Sequence, residues 1–197
     1  MKKLSITVSL CLAFFIFQAC NDDSSSDAVE SANESNEIKQ DSASNTGAGQ
    51  SGPVSEDDSK FAVEAASGGM MEVQLGELAQ QKASSQRVKD FGAMMVRDHT
   101  KANDELKSLA GMKNITLPPA PGEDHMEHIK KLTAKSGKEF DRDYMNMMVE
   151  DHQEDVENFE ECSAQGKDAD LKAFATKTLP VLRMHLDSAK AIQQGLK

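Results

Sequence analysis

The sequence is poor in the residues that bind nucleic acids and sugars. It has no tryptophan and one tyrosine, and aromatic residues make up 5% of its 197 positions. Its formal net charge is −11, so it would repel the phosphates of a nucleic acid rather than attract them. This composition argues against a nucleic-acid-binding or carbohydrate-binding protein. An acidic chain instead attracts cations, although most surface carboxylates are simply solvated.

The sequence also lacks the patterns of β-strands and of common enzymes. No stretch alternates apolar and polar residues as a half-buried strand would, so the predicted fold class is all-α. There is no nucleophile–base pair, phosphate-binding loop or nucleotide-binding fingerprint in the sequence. These absences favour a binding or structural protein over an enzyme.

Cysteine is scarce, and two of the three cysteines lie near the start of the sequence. Two lysines precede an apolar run over residues 4–17, which is shorter than the ~20 residues of a membrane-spanning helix. Residues 1–19 are therefore predicted to be a secretory signal. An alanine directly before Cys20 resembles the cleavage site of bacterial lipoproteins, which implies a lipid on Cys20 and attachment to the outer membrane, on its periplasmic or surface side. The alternative is an ordinary signal peptide in which Cys20 is incidental.

The segment after the predicted signal has almost no large apolar residues. Serine, asparagine, aspartate, glutamate and glycine dominate residues 20–54, so this segment cannot bury enough surface to offset its ordering entropy. It is predicted to be a disordered tether, and residues 55–197 are predicted to form a single domain. Cys162 is the only cysteine in that domain, which excludes an internal disulfide there.

A repeated pattern organises the domain. Residues 91–106 and 144–159 align without a gap, so that His99 matches His152. In both copies apolar residues recur every three or four positions, as on the buried face of an amphipathic helix, and the histidine lies within that stripe. Two equivalent helices of this kind predict two helical hairpins related by an approximate two-fold axis.

Four long helices and one short helix are predicted. The long helices cover about residues 58–83, 85–110 and 136–164 and a last segment that begins after Asp168, and the short one covers about residues 123–135. Gly111 is predicted to end the second helix. Ser136 and Glu139 have the spacing of a capping box at the start of the third. Tight turns within each hairpin and a proline-rich crossover over residues 114–122 predict a four-helix bundle with one long connection.

Each long helix carries one polar residue on its predicted buried stripe. These residues are Glu72, His99, His152 and His185. A carboxylate and three imidazoles that converge inside a bundle would bind zinc, iron or copper, and Asp98 or Asp151 from a neighbouring helix would orient the rings. Each aspartate is adjacent to a histidine and projects about 100° away from it, so the two are predicted not to chelate one ion. The alternative is a hydrogen-bonded polar core without a metal, which fixes the register of the helices.

The residues that precede the two histidines bear on two more specific kinds of metal site, a di-iron site and a copper(I) site. A di-iron enzyme uses Glu-x-x-His on two helices, but Val96 and Val149 stand where those glutamates would be. Met95 and Met148 lie one turn before a histidine, and a thioether beside an imidazole would favour copper(I). Methionines in an apolar stripe are more often adaptable core packing.

Several segments of the domain resemble one bacterial family. They are residues 61–76, 91–101, 117–118, 141–152 and 178–185, with an Asp-His pair in the second and fourth. They resemble a family of bacterial domains of unknown function whose members carry the label of outer membrane proteins. The resemblance covers residues 61–192 and implies a ferritin-like helical bundle in the cell envelope. It implies no activity and no catalytic residue.

Two functions are predicted from these observations. The first is a metal-binding or metal-buffering bundle in the cell envelope that contributes to protection against oxidative stress. The second is an interaction module whose polar core is structural and whose partner is another protein or a second copy of the chain. A di-iron oxidase is a third and more distant alternative.

Overall fold

The computed structural model describes residues 27–46 and 54–196 of the 197-residue chain. This part of the chain folds into six α-helices, which confirms the predicted all-α class. They are α1 (Ala28–Thr46), α2 (Glu56–Lys82), α3 (Gln86–Lys113), α4 (Glu123–Thr133), α5 (Gly137–Gln165) and α6 (Ala169–Gly195). The predicted signal over residues 1–19 and Cys20 lie outside the described residues.

Four long helices form the predicted bundle. α2 packs along α3 and α5 packs along α6, so each pair is a helical hairpin joined by a short turn. The hairpins contact each other through α2 with α5 and through α3 with α6. The crossover between them carries α4, which packs mainly on α2. No helix in the described part of the chain is long and apolar enough to cross a membrane.

The two hairpins brace each other through two buried aspartates. Asp58, at the start of α2, accepts a hydrogen bond from the backbone N–H of Asp168 at 2.8 Å, in the turn between α5 and α6. Asp141, at the start of α5, accepts hydrogen bonds from the N–H groups of Ser84 and Ser85, each at 2.9 Å, in the turn between α2 and α3. This reciprocal arrangement indicates an approximate two-fold axis that exchanges the two hairpins.

Two predicted details at helix ends are wrong. α3 continues past Gly111 to Lys113, because Asn114 takes the left-handed conformation (φ 57°) that ends the helix. Ser136 lies at the N-cap of α5, but its side chain makes no capping hydrogen bond, so the predicted capping box does not form. Gly137 follows with a φ of 62°, a backbone conformation that favours glycine.

The predicted disordered tether over residues 20–54 is wrong for residues 28–46, which form α1. This helix packs on α2 and is bound to the crossover by polar side chains. The buried Asn36 side chain donates a hydrogen bond to the Thr116 carbonyl at 3.0 Å and accepts one from the Thr116 N–H at 2.7 Å. Lys39 donates to the Asn114 carbonyl at 2.9 Å. Composition reflects only how much apolar surface a segment can bury, whereas α1 is held by hydrogen bonds to backbone groups of the crossover.

Replacing Asn36 with alanine is expected to lower the free energy of unfolding by about 1–3 kcal/mol, because the Thr116 N–H and carbonyl lose their partner. Chemical denaturation followed by circular dichroism measures this change. Glu34→Ala is the matched control, since Glu34 is an exposed residue of the same helix. Equal stability of the two variants would show that α1 does not stabilise the crossover.

The bundle core consists of two apolar clusters with a polar layer between them. On α3, α5 and α6 the histidine of the predicted stripe separates members of one cluster from members of the other, and on α2 Glu72 lies at the edge of the first cluster, next to Met71. On α3, for example, Met95 belongs to one cluster and Leu106 to the other, with His99 between them. Met95 and Met148 are fully buried in the first cluster, in agreement with a packing role.

α2 and α3 approach each other closely beside this polar layer. A Cβ atom on Gly76 would lie 2.6 Å from the Gly92 carbonyl oxygen, and one on Gly92 would lie 2.7 Å from the Gly76 carbonyl oxygen. Gly76 is one helical turn from Glu72. The contact between the two backbones therefore keeps α3 close enough for the Glu72 side chain to reach His99.

Candidate metal centre

The four polar residues of the predicted stripes meet at one level of the bundle. Glu72, His99, His152 and His185 come from α2, α3, α5 and α6 in turn, and each is at most 6% exposed. The centroids of the three imidazole rings lie 5.3, 5.4 and 5.6 Å apart. Each histidine has a ring nitrogen within 4.8 Å of one in each of the other two. Small side-chain movements would bring all three nitrogens onto one ion.

Glu72 and His99 form a short contact in this layer. Glu72 Oε2 lies 2.5 Å from His99 Nδ1, while Glu72 Oε1 lies 3.3 Å from His152 Nε2 without forming a hydrogen bond. Burial raises the pKa of Glu72 to about 8 and lowers the pKa of His99 to about 4. At neutral pH both groups are therefore uncharged.

Asp98 orients His185 from the neighbouring helix, as predicted. Asp98 Oδ2 accepts a hydrogen bond from His185 Nε2 at 3.0 Å, and Arg97 donates two hydrogen bonds to the same carboxylate, each at 2.8 Å. The Arg97 guanidinium lowers the pKa of Asp98, so the carboxylate stays ionised and keeps the His185 proton on Nε2. The lone pair of His185 Nδ1 then faces His152 Nε2 at 3.4 Å.

Burial also keeps the other two imidazoles neutral. It lowers the pKa of His185 to about 4, although the Asp98 carboxylate acts in the opposite direction. It lowers the pKa of His152 well below its ordinary value, and the neighbouring histidines add to that shift. All three rings are therefore uncharged at neutral pH, which is the form of histidine that binds metals.

Asp151 does not orient a ring, which corrects the prediction made for it. Its carboxyl group contacts that of Glu72, and burial together with the charge of Glu72 raises the pKa of Asp151 well above its ordinary value. Contrary to the expectation from helix geometry, Asp151 lies close enough to the neighbouring His152 for both to contact one ion. A carboxylate oxygen of Asp151 and a ring nitrogen of His152 lie within 4.8 Å of each other, in a group that also contains Glu72 and Asp155.

Asp155 and Tyr144 are the members of this region that the sequence analysis missed. Burial raises the pKa of Asp155 well above its ordinary value, and the charges of Glu72 and Asp151 add to the shift. Tyr144 is fully buried, and the same two charges help to raise the pKa of its hydroxyl. The four-residue spacing of Asp151 and Asp155 on one helix was the signal that could have identified Asp155. No sequence signal distinguishes the Tyr144 hydroxyl.

Several buried polar atoms of this region have no hydrogen-bond partner among the described residues. They are Glu72 Oε1, His99 Nε2, Tyr144 Oη, Asp151 Oδ2 and His152 Nδ1. Buried polar atoms in proteins are nearly always hydrogen-bonded. Protein groups alone therefore satisfy only part of the polar layer.

A small cavity borders the three-histidine group. Its volume is about 30 Å³, and its lining includes Glu72, Asp98, His99 and His185. A space of this size holds about one water-sized particle. The cavity beside Glu72, His99 and His185 is therefore large enough for a single ion or water molecule and too small for an organic cofactor.

Two solved structures have a similar fold. One is the crystal structure of a DUF305 fragment from Deinococcus radiodurans, with a TM-score of 0.62 and 10% identity over 72% of this chain and 98% of that one. The other is CopM in its Cu(II)-bound form, with a TM-score of 0.61 and 16% identity over 71% of this chain and 97% of that one. At these identities the similarity shows the fold alone. No curated protein matches the sequence.

One family model covers most of the domain. The model of the domain of unknown function DUF4142 matches residues 43–192, a range that contains every residue of the candidate metal centre. This match agrees with the predicted family of unknown function, whereas the outer-membrane location stays a prediction. The chain therefore belongs to the DUF4142 family.

Proposed function

We propose that the protein binds a transition-metal ion inside its bundle. The ligands are His99, His152, His185 and Glu72. The observation that carries the proposal is the convergence of three buried imidazoles whose ring nitrogens lie within 4.8 Å of one another. Burial keeps all three rings neutral at neutral pH, so each ring has a lone pair on one nitrogen, which is the form of histidine that binds metals.

The unpartnered atoms favour this function over a purely structural polar core. A structural core would satisfy its polar atoms with protein hydrogen bonds, since each unsatisfied buried group costs ~1–3 kcal/mol. Glu72 Oε1 and His99 Nε2 have no such bond among the described residues. Loss of the Glu72 proton would place the His99 proton on Nδ1, facing the carboxylate, and would free the Nε2 lone pair for a metal ion. Asp98 would hold the ring of His185 in the orientation that binding needs.

Copper(II) is the ion that the site supports best. Imidazole suits copper, zinc and iron alike, but copper(II) has the highest affinity in the series of divalent ions. CopM, a protein of similar fold, has a structure in the Cu(II)-bound form. Zinc and iron(II) are the alternatives that the experiment below must compare with copper.

The physiological role we propose is metal buffering at the cell envelope. Because the ligand residues are buried, peroxide and reductants would have little access to a bound ion, so its sequestration would limit oxidative damage. A lipid on Cys20 would attach the bundle to the outer membrane. The carboxylates of this acidic chain would attract cations toward it.

Thermal unfolding of the untagged protein with copper(II), zinc, iron(II) or a chelator tests this function. Copper is expected to raise the midpoint, because binding to the folded state adds ~2.7 kcal/mol to the free energy of unfolding at a free concentration 100 times Kd. His99→Ala is expected to remove most of that gain, and His128→Ala on α4 is the matched control because it lies outside the ligand set. A wild-type midpoint that is the same under all four conditions would leave the interaction module as the better function.

Replacing Cys20 with serine is expected to release the protein from the membrane fraction, because the predicted lipid can no longer be attached. Fractionation and metabolic labelling with a radioactive fatty acid measure the change. Cys162→Ser is the control, since Cys162 is a buried residue of the bundle. A Cys20→Ser protein that loses its signal peptide but stays in the membrane fraction would contradict lipid attachment at this residue.

A further inference from the structure

We infer that the bundle holds a second cation site, formed by Glu72, Asp151, His152 and Asp155, beside the three-histidine site. The inference rests on the proposed function, because the two sites share Glu72 and His152. The ligand is a divalent cation that accepts carboxylate oxygens together with imidazole, such as Mn²⁺ or Fe²⁺. The ion neutralises carboxyl groups that otherwise face one another inside the protein.

The four side chains are placed to share one ion. Each presents a ligand atom within 4.8 Å of those of the other three. Asp151 and Asp155 are four residues apart on α5, so their carboxyl groups lie on the same face of that helix. Glu72 reaches them from α2 and is almost completely buried. Three carboxylates and one imidazole, completed by water, are a donor set typical of these cations.

The approximate two-fold axis of the bundle relates two of these carboxylates. Asp58 and Asp141 brace equivalent turns of the two hairpins. The sequence separation between Glu72 and Asp155 equals the separation between those two aspartates. Each hairpin therefore contributes one carboxylate, from the same position of its first helix, to the contact between α2 and α5.

Unpartnered buried atoms point to a ligand in this cluster. In the part of the chain that the structure describes, Glu72 Oε1 and Asp151 Oδ2 have no hydrogen-bond partner. The fully buried Tyr144 hydroxyl, which lies near both carboxyl groups, has no partner there either. No lysine or arginine among the described residues forms an ion pair with Glu72, Asp151 or Asp155. The charge that balances these carboxylates must therefore be a bound proton or a bound cation.

A groove between α2 and α5 gives cations a route to the cluster. Its volume is about 490 Å³, and Asp151 and Asp155 belong to its lining. Further carboxylates line the same groove, namely Asp57, Asp58, Glu64, Glu154 and Glu161. Lys60 and Lys167 are also in the lining, so carboxylates outnumber lysines and the groove attracts cations. The three-histidine group borders the other, smaller cavity, and Asp155 lines both.

Titration with Mn²⁺ alone, followed by electron paramagnetic resonance, tests the second site, because the sharp signal of the hydrated ion disappears on binding. The wild-type protein is expected to bind one equivalent of Mn²⁺. Asp155→Asn is expected to weaken that binding at least tenfold, and Asp151→Asn provides a second variant of the same cluster. Glu154→Gln is the matched control, since Glu154 lines the groove but is not in the cluster, and it is expected to bind Mn²⁺ as the wild type does.

His185→Ala separates this inference from the proposed function, because His185 belongs to the three-histidine group alone. It is expected to lose copper(II) and to retain Mn²⁺, whereas Asp155→Asn retains copper(II). Circular dichroism confirms that each variant is folded before titration. Absence of Mn²⁺ binding in the wild type, or unchanged binding in both aspartate variants, overturns the second site. Intact Mn²⁺ binding in a wild-type protein that binds no copper(II) supports the second site and rejects only the proposed function.

Discussion

Replacing His152 with alanine is expected to weaken copper(II) binding by at least about 100-fold. His152 Nε2 lies 3.4 Å from His185 Nδ1 and 3.3 Å from Glu72 Oε1, so it occupies the centre of the ligand set. Loss of a group that merely orients a ligand costs 10–100-fold in metal affinity, and loss of a ligand should cost more. Competition against a chromophoric copper chelator measures the dissociation constant of the variant and of the wild type.

The same variant separates the metal site from a structural polar core. If the histidines bind copper, the stability difference between His152→Ala and the wild type should grow by ~2.7 kcal/mol when free copper reaches 100 times the wild-type Kd. If the layer is only structural, the difference should be the same with copper and with a chelator. His128→Ala should bind copper as the wild type does, and a loss of binding in that control would show that copper binds elsewhere on the protein.

The metal-free protein is expected to lose stability as the pH rises from about 6.5 to 8. The pKa of Glu72 is raised from 4.5 to about 8 by burial, so its contribution is complete below 4.5 and is lost as the pH rises through about 8. The pKa values of His99 and His185 are lowered from 6.5 to about 4, so their contribution is complete above 6.5 and is lost as the pH falls through about 4. Above pH 6.5 the histidines no longer change the stability with pH, and the remaining change comes from the buried carboxyl group.

Denaturant unfolding in the presence of a chelator, between pH 6.5 and 8, measures this slope. One buried carboxyl group contributes at most about 1.4 kcal/mol for each pH unit, and the raised pKa values of Asp151 and Asp155 act in the same direction. Glu72→Gln is expected to flatten the slope, because an amide has no proton to lose in this range. If Glu72→Gln has the same slope as the wild type, Glu72 is already ionised at neutral pH, which contradicts the raised pKa.

Copper(II) should reverse this pH dependence. Copper(II) binding displaces the proton of Glu72, so binding strengthens with pH until Glu72 is ionised at about pH 8. If histidines with an ordinary pKa controlled binding, copper binding would instead stop strengthening near pH 6.5. The pH at which the copper-dependent gain levels off therefore reports which group controls the site.

The sequence was sufficient to predict the bundle and the four inward residues, because apolar stripes with helical spacing determine which residues face the core. Glu72, His99, His152 and His185 interrupt those stripes and so stand out. The repeat was less informative about symmetry. His99 lies on the second helix of one hairpin and His152 on the first helix of the other, so the axis that exchanges the hairpins does not exchange these two histidines.

Other features depend on contacts that no single helix pattern contains. α1 is polar, and its position depends on hydrogen bonds between Asn36 and a residue 80 positions away in the crossover. Asp151 appeared to point away from the core because helical geometry was applied to its backbone position alone. Its flexible carboxyl group nevertheless reaches Glu72, because α2 packs against α5 at that level. Predicting such contacts requires the packing of helices as well as their sequence.

X-ray absorption spectroscopy of the copper-loaded, untagged protein tests the central claim most directly. We expect one copper ion at the three-histidine site after removal of excess metal, with imidazole nitrogens from three histidines and one carboxylate oxygen at about 2 Å. The scattering pattern of imidazole rings identifies those nitrogens, and His128→Ala should give the same spectrum. Copper that is lost during desalting, or a spectrum without imidazole scattering, would contradict the claim that His99, His152 and His185 form a metal centre.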